Sequence, residues 1–279
     1  MPRGRTERVL TTTFDHGERT RAPDDLIVEE PMSIHLDDAL VATTMRTPGH
    51  DFELAVGFCF TDGLLAAAPV LGCRYCGTGS AVDTEFNVVS VDTGGKAPIP
   101  VPRLGTISSS CGLCGSTSLD ELAGRLEPLT DTTPIPLEVL AAVPDLVRTR
   151  QDLFDVTGAV HAAAAFDVSG HPVVVREDVG RHNAVDKVVG NLLLEGALPA
   201  GGLGLYVSGR ASFEIVQKAW AAGFSALVAV SAPTSLAVAT ARRAGLTLAG
   251  FVRGERVNVY APERVPSIDP AAAAPVVGP

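Results

Sequence analysis

Two cysteines two residues apart, Cys111 and Cys114, are the residues of this chain best suited to chemistry. They lie in a Ser- and Gly-rich run at 108–115, which is too polar for a packing role. Ser118 and Glu121 then form a capping box ahead of leucines at helical spacing, which predicts a helix start. The N–H groups and dipole at such a start stabilise a thiolate, the nucleophilic form of cysteine. The pattern leaves three uses open: half of a zinc site, a redox dithiol, or a carrier of persulfide sulfur.

A second pair, Cys73 and Cys76, precedes the first by 34 residues (77–110). Four thiolates could bind zinc tetrahedrally, although zinc ribbons usually separate their pairs by about 15–20 residues. A zinc-stabilised nucleotide-binding module without sulfur chemistry is therefore the alternative function. A thiol–disulfide oxidoreductase would need a thioredoxin-like β-α-β context around the pair, which the sequence does not show. Cys59, on the apolar face of a predicted helix, is expected to be a core thiol.

Four polar loops follow predicted strands, and three of them carry arginine. The loops are 176–183, 208–214, 231–235 and 251–258. In a parallel α/β sheet, ligands bind at the carboxyl ends of strands, where helix starts and arginines face anions. The loops therefore predict a shared anion pocket for a phosphorylated ligand. None of them matches a P-loop or a dinucleotide-binding glycine fingerprint.

Composition restricts the function further. The net charge is −10 and aromatic residues make up 5% of the chain, which argues against nucleic-acid and membrane-surface binding. No apolar stretch is long enough to span a bilayer, and the first 22 residues lack the apolar core of a secretory signal. We therefore expect a cytoplasmic protein with reduced thiols, and the odd cysteine count of five disfavours a disulfide framework.

The elements that must position these loops alternate regularly between strands and helices. The N-terminal part of the sequence predicts a hairpin around Asp37 and Asp38, a helix over 50–65 and a strand over 86–91. Later strands are predicted at 158–166, 172–176, 203–207, 226–231, 247–252 and 257–260, with helices at 136–148, 183–194, 213–222 and 234–244. Such alternation indicates an α/β fold with a layered mixed sheet and flanking helices. We expect flexible tails at 1–22 and 264–279, an N-terminal β/α subdomain at 23–102 and a core at 103–263.

Several of these segments together resemble the FdhD/NarQ family of formate dehydrogenase accessory sulfurtransferases. The resemblance covers about residues 26–260, and its most specific part is the Arg-Glu-Asp-Val-Gly-Arg-His-Asn-Ala-Val-Asp-Lys run at 176–187. The other matching segments are Thr47-Pro48-Gly49-His50 with Glu53-Leu54-Ala55, and residues 110–115, 158–163, 208–210, 231–235 and 251–260.

The resemblance implies a sulfur carrier that takes persulfide sulfur from a cysteine desulfurase. Whether the chain is itself an enzyme, a sulfurtransferase, is left open. The sulfur would pass to a molybdenum cofactor with two molybdopterin guanine dinucleotides, which then serves formate dehydrogenase. Cys111 is implied as the persulfide intermediate, assisted by Cys114. The family's cofactor segment matches Phe251, Val252, Arg253, Gly254, Glu255 and Arg256. From the polar loops we add Arg176, Asp178, Arg181, His182, Ser208, Arg210, Thr234 and Ser235 as cofactor contacts.

The resemblance also implies a cytidine deaminase-like core with a smaller N-terminal β/α part, and a homodimer. No resident metal is expected.

Overall fold

The computed structural model describes residues 4–75, 81–82, 84–100, 126–130, 132–261 and 265. Twelve strands and six helices are assigned in this part of the chain: β1 (Thr6–Asp15), β2 (Glu18–Ile27), β3 (Glu30–Leu36), β4 (Ala39–Arg46), α1 (Asp51–Thr61), β5 (Gly72–Arg74), β6 (Val88–Asp92), α2 (Leu137–Arg148), α3 (Asp152–Thr157), β7 (His161–Phe166), β8 (Pro172–Asp178), α4 (Arg181–Leu194), β9 (Gly204–Val207), α5 (Phe213–Ala222), β10 (Ala226–Ala229), α6 (Ser235–Ala244), β11 (Thr247–Arg253) and β12 (Arg256–Ala261). The predicted mixed α/β architecture is confirmed.

The chain forms two compact units, each assembled from three stretches of sequence. The first unit comprises Met1–Gly115, Gln151–Ala162 and Arg176–Gly190. The second comprises Ser116–Arg150, Ala163–Val175 and Asn191–Pro279. The boundary predicted at 102/103 lies outside the described residues, as does the predicted C-terminal tail apart from Val265.

The first unit contains a four-stranded sheet in the order β4-β3-β6-β5. Strands β3 and β4 form the predicted hairpin, and Asp37 and Asp38 turn it with φ of 46° and 67°. Two consecutive positive φ values give the turn whose twist matches that of the flanking strands. Helix α1 packs on β3 and β6, burying Leu54 against a core that includes Ile34 and Val89.

Two glycines allow helices α1 and α4 to cross at backbone contact within the first unit. A Cβ added to Gly57 would lie 2.9 Å from the backbone nitrogen of Gly190 and still closer to the carbonyl of Asp186. A Cβ added to Gly190 would lie 2.6 Å from the carbonyl carbon of Glu53. Real Cβ atoms do not approach backbone so closely, and close-packed interiors have little room to relax. Both positions therefore require glycine.

Strands β1 and β2 form a separate two-stranded ribbon, where the sequence predicted a tail over 1–22. Ten residue pairs join them without a register shift, from Thr6 opposite Ile27 to Asp15 opposite Glu18. His16 and Gly17 make the turn with φ of 47° and 88°. Most of the ribbon's side chains are exposed. The polar sequence that predicted a flexible tail therefore reflects exposed strands.

A six-stranded sheet in the order β12-β11-β10-β9-β7-β8 lies mainly in the second unit; the first two residues of β7 and the last three of β8 belong to the first unit. Strands β9, β10 and β11 are parallel, whereas β12 and β7 run antiparallel to their neighbours. Helices α5 and α6 pack together, and α2 packs on β11 and β12. The alanine run of β7 is a buried strand, as predicted. Gly204 lies opposite Phe166, and the absence of a Cβ there leaves room for the aromatic ring.

Glu127, Leu129 and Thr133 each form a hydrogen bond with another part of the second unit. The indole N–H of Trp220, which is 2% exposed, donates to the carbonyl of Glu127 at 2.7 Å. Leu129 N donates to Ala244 O at 2.9 Å, and Thr133 N donates to the Gly201 carbonyl at 2.7 Å.

None of the helices in the described part of the chain combines the length and the apolar character that a membrane span requires.

Candidate functional site

The predicted reactive pair, Cys111 and Cys114, lies outside the described residues, as does Cys76. The two remaining cysteines belong to the first unit. Cys73 is half-buried on β5, and burial raises the pKa of its thiol to about 11. Burial also raises the pKa of Cys59 far above its usual value. Both are therefore thiols at neutral pH and lack the thiolate that sulfur transfer needs.

The four-cysteine zinc site stays a prediction, since three of its four cysteines are outside the described residues. Within the described ranges, no group of three or more His, Cys, Asp and Glu residues could hold a metal ion.

A fully buried carboxylate organises the first unit's polar centre. Asp178 Oδ2 accepts hydrogen bonds from Lys187 Nζ at 2.7 Å and Thr47 N at 3.2 Å. Its Oδ1 accepts from Gly180 N at 2.8 Å and Asn183 Nδ2 at 2.9 Å. Asp178 and Lys187 are both 0% exposed. A buried charge that is paired and hydrogen-bonded on both oxygens is one the interior can tolerate. This set of residues is called the Asp178 cluster below.

The Asp178 cluster joins two loops that are far apart in sequence. The backbone N–H of Thr47 donates a hydrogen bond to Asp178. The Thr47 carbonyl accepts one from Lys187 Nζ at 2.9 Å, and its Oγ1 accepts one from Val179 N at 3.1 Å. Asn183 also donates to Met45 O at 2.7 Å. The turn before α1 and the turn before α4 are therefore fixed to each other inside the first unit.

The predicted cofactor contact Arg176 makes a bidentate ion pair with Glu53 on α1. The Nε–Oε2 and Nη2–Oε1 distances are 2.5 and 2.7 Å. His50 Nδ1 lies 3.4 Å from the same carboxylate, and its backbone is left-handed with φ of 57°. Burial alone would raise the pKa of Glu53, but the hydrogen bonds and charges of Arg176 and His50 lower it to about 2. Glu53 is therefore a carboxylate throughout the physiological range.

Arg181 and His182, two further predicted contacts, open helix α4 beside His161 of β7. His182 is 9% exposed. Burial lowers the pKa of the half-buried His161, and the charges of Arg181 and His182 lower it further against the opposing effect of Asp178. A neutral imidazole at pH 7 can both donate and accept a hydrogen bond. The polar loop predicted at 176–183 is therefore the junction of β8 and α4 in the first unit.

In the second unit the structure brings three of the four predicted loops together. Ser231 N donates to the Gly209 carbonyl at 3.3 Å, and Thr234 N donates to Ala211 O at 3.1 Å. Phe251 N donates to Ser231 O at 3.2 Å. The loops after β9 and β10 and the end of β11 therefore form one continuous edge at the carboxyl ends of the parallel strands.

Exposed aromatic and cationic side chains line this edge. Phe251 is 41% exposed and has φ of 52°, at an irregularity in the β11–β12 register. Arg253 and Arg256 lie opposite each other in the β11–β12 register, next to the turn. Both are exposed, as is Arg210. A Cβ on Gly250 would lie 2.9 Å from Pro233 Cδ. An aromatic ring and arginines beside closely packed backbone fit a phosphorylated nucleotide.

The remaining predicted contacts of this edge differ in accessibility. Thr234 caps α6 by accepting a hydrogen bond from Ala237 N at 3.2 Å. Ser208 is half-buried, and Ser235, Gly254 and Glu255 are exposed. Val252 is 0% exposed, so its side chain is a core residue and only its backbone could meet a ligand.

Comparison with known proteins assigns the chain to a family. The profile of the FdhD/NarQ family matches residues 27–266. The chain belongs to the FdhD/NarQ family. Sulfur carrier protein FdhD of Streptomyces avermitilis is 48% identical over 277 residues, which cover 96% of this chain and 98% of that protein. The proteins of the same name from Streptomyces coelicolor and Mycobacterium tuberculosis are 49% and 46% identical, covering 92% and 85% of this chain and 94% and 90% of those proteins.

A solved structure shares the fold of this FdhD/NarQ chain. The crystal structure of a protein assigned as a formate dehydrogenase accessory protein from Desulfotalea psychrophila superposes with a TM-score of 0.76. It is 27% identical in sequence, and the match covers 94% of this chain and all of that one. The resemblance stated from the sequence motifs is thereby confirmed.

Sequence reasoning missed three members of the first unit's polar centre: Thr47, Asn183 and Lys187. Asn183 and Lys187 are four residues apart and lie on one face of α4, where both reach Asp178. Two polar residues at i and i+4 on the helix predicted at 183–194 were the available signal. Conversely, Asp178 was predicted to contact the cofactor, but its carboxylate is committed to four protein donors. Its role in the structure is to position its neighbours.

Proposed function

We propose that this chain is a sulfur carrier that serves formate dehydrogenase by moving persulfide sulfur from a cysteine desulfurase to a molybdenum cofactor with two guanine dinucleotides. The observation that carries the proposal is the FdhD/NarQ match over residues 27–266, which includes the Cys111–Cys114 pair. Its relatives are named sulfur carrier proteins, and its structural neighbour is assigned as a formate dehydrogenase accessory protein. We expect it to act in the cytoplasm as a homodimer.

Sulfur loading requires a thiolate on this chain. The Cys111 thiolate attacks the terminal sulfur of the desulfurase persulfide, so that a new S–S bond forms at Cys111 as the desulfurase S–S bond breaks. The desulfurase cysteine leaves as a thiolate, and no net oxidation occurs. The product is a persulfide on Cys111. The helix start predicted at Ser118 would favour the anionic sulfur.

Sulfur delivery requires two electrons, because the terminal persulfide sulfur must leave as sulfide. Cys114 can supply them: its thiolate attacks the inner sulfur of Cys111, a Cys111–Cys114 disulfide forms, and sulfide is released toward the substrate metal. A cellular thiol of the glutathione or thioredoxin class then reduces the disulfide and restores both thiols. This sequence gives each cysteine of the pair a separate task.

The second unit's edge supplies the chemistry to hold the cofactor as substrate. Its arginines, Arg210, Arg253 and Arg256, offer cations to pyrophosphate, which a chain of net charge −10 must neutralise locally. The exposed ring of Phe251 offers a stacking surface for a guanine base. In the first unit, His161, Arg181 and His182 offer further donors for an anion.

Peptide mapping tests the sulfur chemistry, because trypsin separates the cysteines. The peptide 104–125 carries Cys111 and Cys114 alone, 75–96 carries Cys76 alone, and 47–74 carries Cys59 and Cys73. After incubation with a cysteine desulfurase and cysteine, we expect a gain of about 32 Da, one sulfur atom, on 104–125 only. Cys111→Ser should abolish it, whereas Cys114→Ser should retain it and fail in delivery. Cys73→Ser is the matched control, and an adduct confined to another peptide would reject the proposal.

Nucleotide binding tests the substrate site. Titration calorimetry with GDP should show binding that Phe251→Ala and Arg253→Ala weaken about tenfold or more, since one stacked base contributes about 1–3 kcal/mol. Arg243→Ala removes an exposed arginine in the last turn of α6 and serves as the control. Equal affinity in all four proteins would place the nucleotide elsewhere while leaving the persulfide chemistry intact.

A further inference from the structure

The ribbon of β1 and β2 sorts its side chains onto two faces of opposite charge. Its ten pairs run without a bulge, so alternate residues of each strand point to opposite sides. The even-numbered residues of β1 share a face with the odd-numbered residues of β2. The polar centre of the first unit uses none of these residues.

One face is basic and apolar, and we call it the basic face. Its charged residues are Arg8, Arg19, Arg21 and Asp25, and its apolar residues include Leu10, Phe14 and Pro23. The opposite face carries four carboxylates and no arginine or lysine. Those carboxylates are Glu7, Asp15, Glu18 and Asp24. In an acidic chain of net charge −10, the two signs are separated across the thickness of one ribbon.

The basic face exposes large apolar side chains to solvent. Leu10 is 61% exposed and Phe14 is 75% exposed. Arg19 holds its guanidinium carbon 5.9 Å from the centre of the Phe14 ring, and Arg8 pairs with Asp25 at 2.8 Å. Isolated apolar residues are normal on surfaces, but aromatic and arginine side chains together are the pair enriched at protein interfaces. The face therefore has the composition of a docking surface.

The size of the face limits the kind of contact. Ten residues at about 3.4 Å each give a length of about 34 Å, and two strands about 5 Å apart give a width of roughly 10 Å. Because β2 also contacts α3, the area open to a partner is at most about 340 Å², well below the roughly 800 Å² that each partner contributes to a stable complex. A contact made here is transient, held by a few apolar side chains and steered by charge.

We propose that the basic face of the ribbon is a transient docking surface for an acidic segment of another protein that carries at least one apolar side chain. The face carries three arginines and one aspartate, so its partner should be negatively charged. Leu10 and Phe14 are exposed, so the partner should also offer an apolar side chain. A second copy of this chain is disfavoured, because a twofold contact through this face would bring the arginines of both copies together. An anionic membrane is disfavoured because a flat bilayer would extend beyond the ribbon and also face the rest of a chain of net charge −10, whereas a short segment contacts the basic face alone.

Chemical-shift mapping on the ¹⁵N-labelled full-length chain tests the proposal. The probe is a short synthetic peptide rich in glutamate that contains one phenylalanine and one leucine. We expect saturable shifts at the amides of Leu10, Phe14, Arg19 and Arg21. The apparent affinity should fall about tenfold with salt raised from low to several hundred millimolar, because exposed charges are screened. A peptide with glutamine in place of glutamate should bind at least tenfold more weakly.

Variants complete the test. Arg19→Glu with Arg21→Glu should abolish the shifts, and Phe14→Thr should weaken them while keeping a residue that favours strands. Glu18→Gln with Asp24→Asn changes the opposite face and should leave binding intact. The proposal is overturned if the shifts lie outside the ribbon, or if the glutamine peptide binds equally. It is also overturned if the arginine variant instead removes self-association or binding to phosphatidylglycerol vesicles.

Discussion

Replacing Lys187 with methionine should destabilise the protein by about 3–5 kcal/mol, the usual cost of leaving one member of a buried ion pair unpaired. Both partners are 0% exposed, so water cannot replace the ammonium group. Asp178 would keep three of its four donors but lose the cation at 2.7 Å, and the Thr47 carbonyl would lose the same donor. Methionine has nearly the length of the lysine stem, so the substitution leaves little empty space and a cavity adds little to this cost.

Urea unfolding followed by far-UV circular dichroism measures the effect. Lys187→Met should lower the midpoint strongly, and adding Asp178→Asn should restore part of the loss by removing the unpaired charge. Arg8→Met is the surface control: it breaks the exposed Arg8–Asp25 pair and should leave the midpoint nearly unchanged. A loss below about 1 kcal/mol for Lys187→Met would refute the reasoning, since it would mean that the charge is not needed to satisfy Asp178.

Three further predictions concern single positions. The pKa of Glu53 is about 2 in the fold against 4.5 for the free group, so its stabilisation is complete above about pH 4.5 and is lost as the pH falls through about 2; the stability gap between wild type and Glu53→Gln, from urea midpoints, should therefore close over that window. Gly190→Ala should cost about 1–3 kcal/mol despite the better helix propensity of alanine, whereas Gly202→Ala, with nothing within 4 Å of its Cβ, should not. Phe251→Gly should raise the melting temperature by relieving a left-handed aromatic residue, yet weaken GDP binding in calorimetry; a lower melting temperature would contradict the strain argument.

Much of the fold could be predicted from local patterns. The segment predicted as a helix at 213–222 has those bounds in the structure, and the paired φ values of Asp37 and Asp38 follow from their place between two β-prone runs. The ribbon was missed because its strands bury almost nothing and so carry no apolar periodicity. The β-branched run at 11–13 before the His16–Gly17 turn was the signal available.

The sequence predicted which loops form the candidate site, but it did not predict which side chains contact each other there. Arginine-bearing loops after successive strands indicated an edge, and the second unit has such an edge between Ser231 and its neighbours. The Asp178–Thr47 contact could not be predicted, because it joins residues 131 apart in sequence and depends on tertiary packing. For the same reason Asp178 looked like a ligand contact: an acidic residue at a strand end has the same sequence signature whether it meets a ligand or a buried lysine.

The anchoring of Glu127 by Trp220 has a practical consequence. The chain has one tryptophan, so its tryptophan emission arises at a single place, where the indole N–H donates to the carbonyl of Glu127, thirteen residues after Cys114. A red shift or quenching would report the loss of this hydrogen bond without any label or engineered chromophore. Stopped-flow fluorimetry could then time whether the anchor opens when a sulfur atom arrives, when a nucleotide binds, or at neither event.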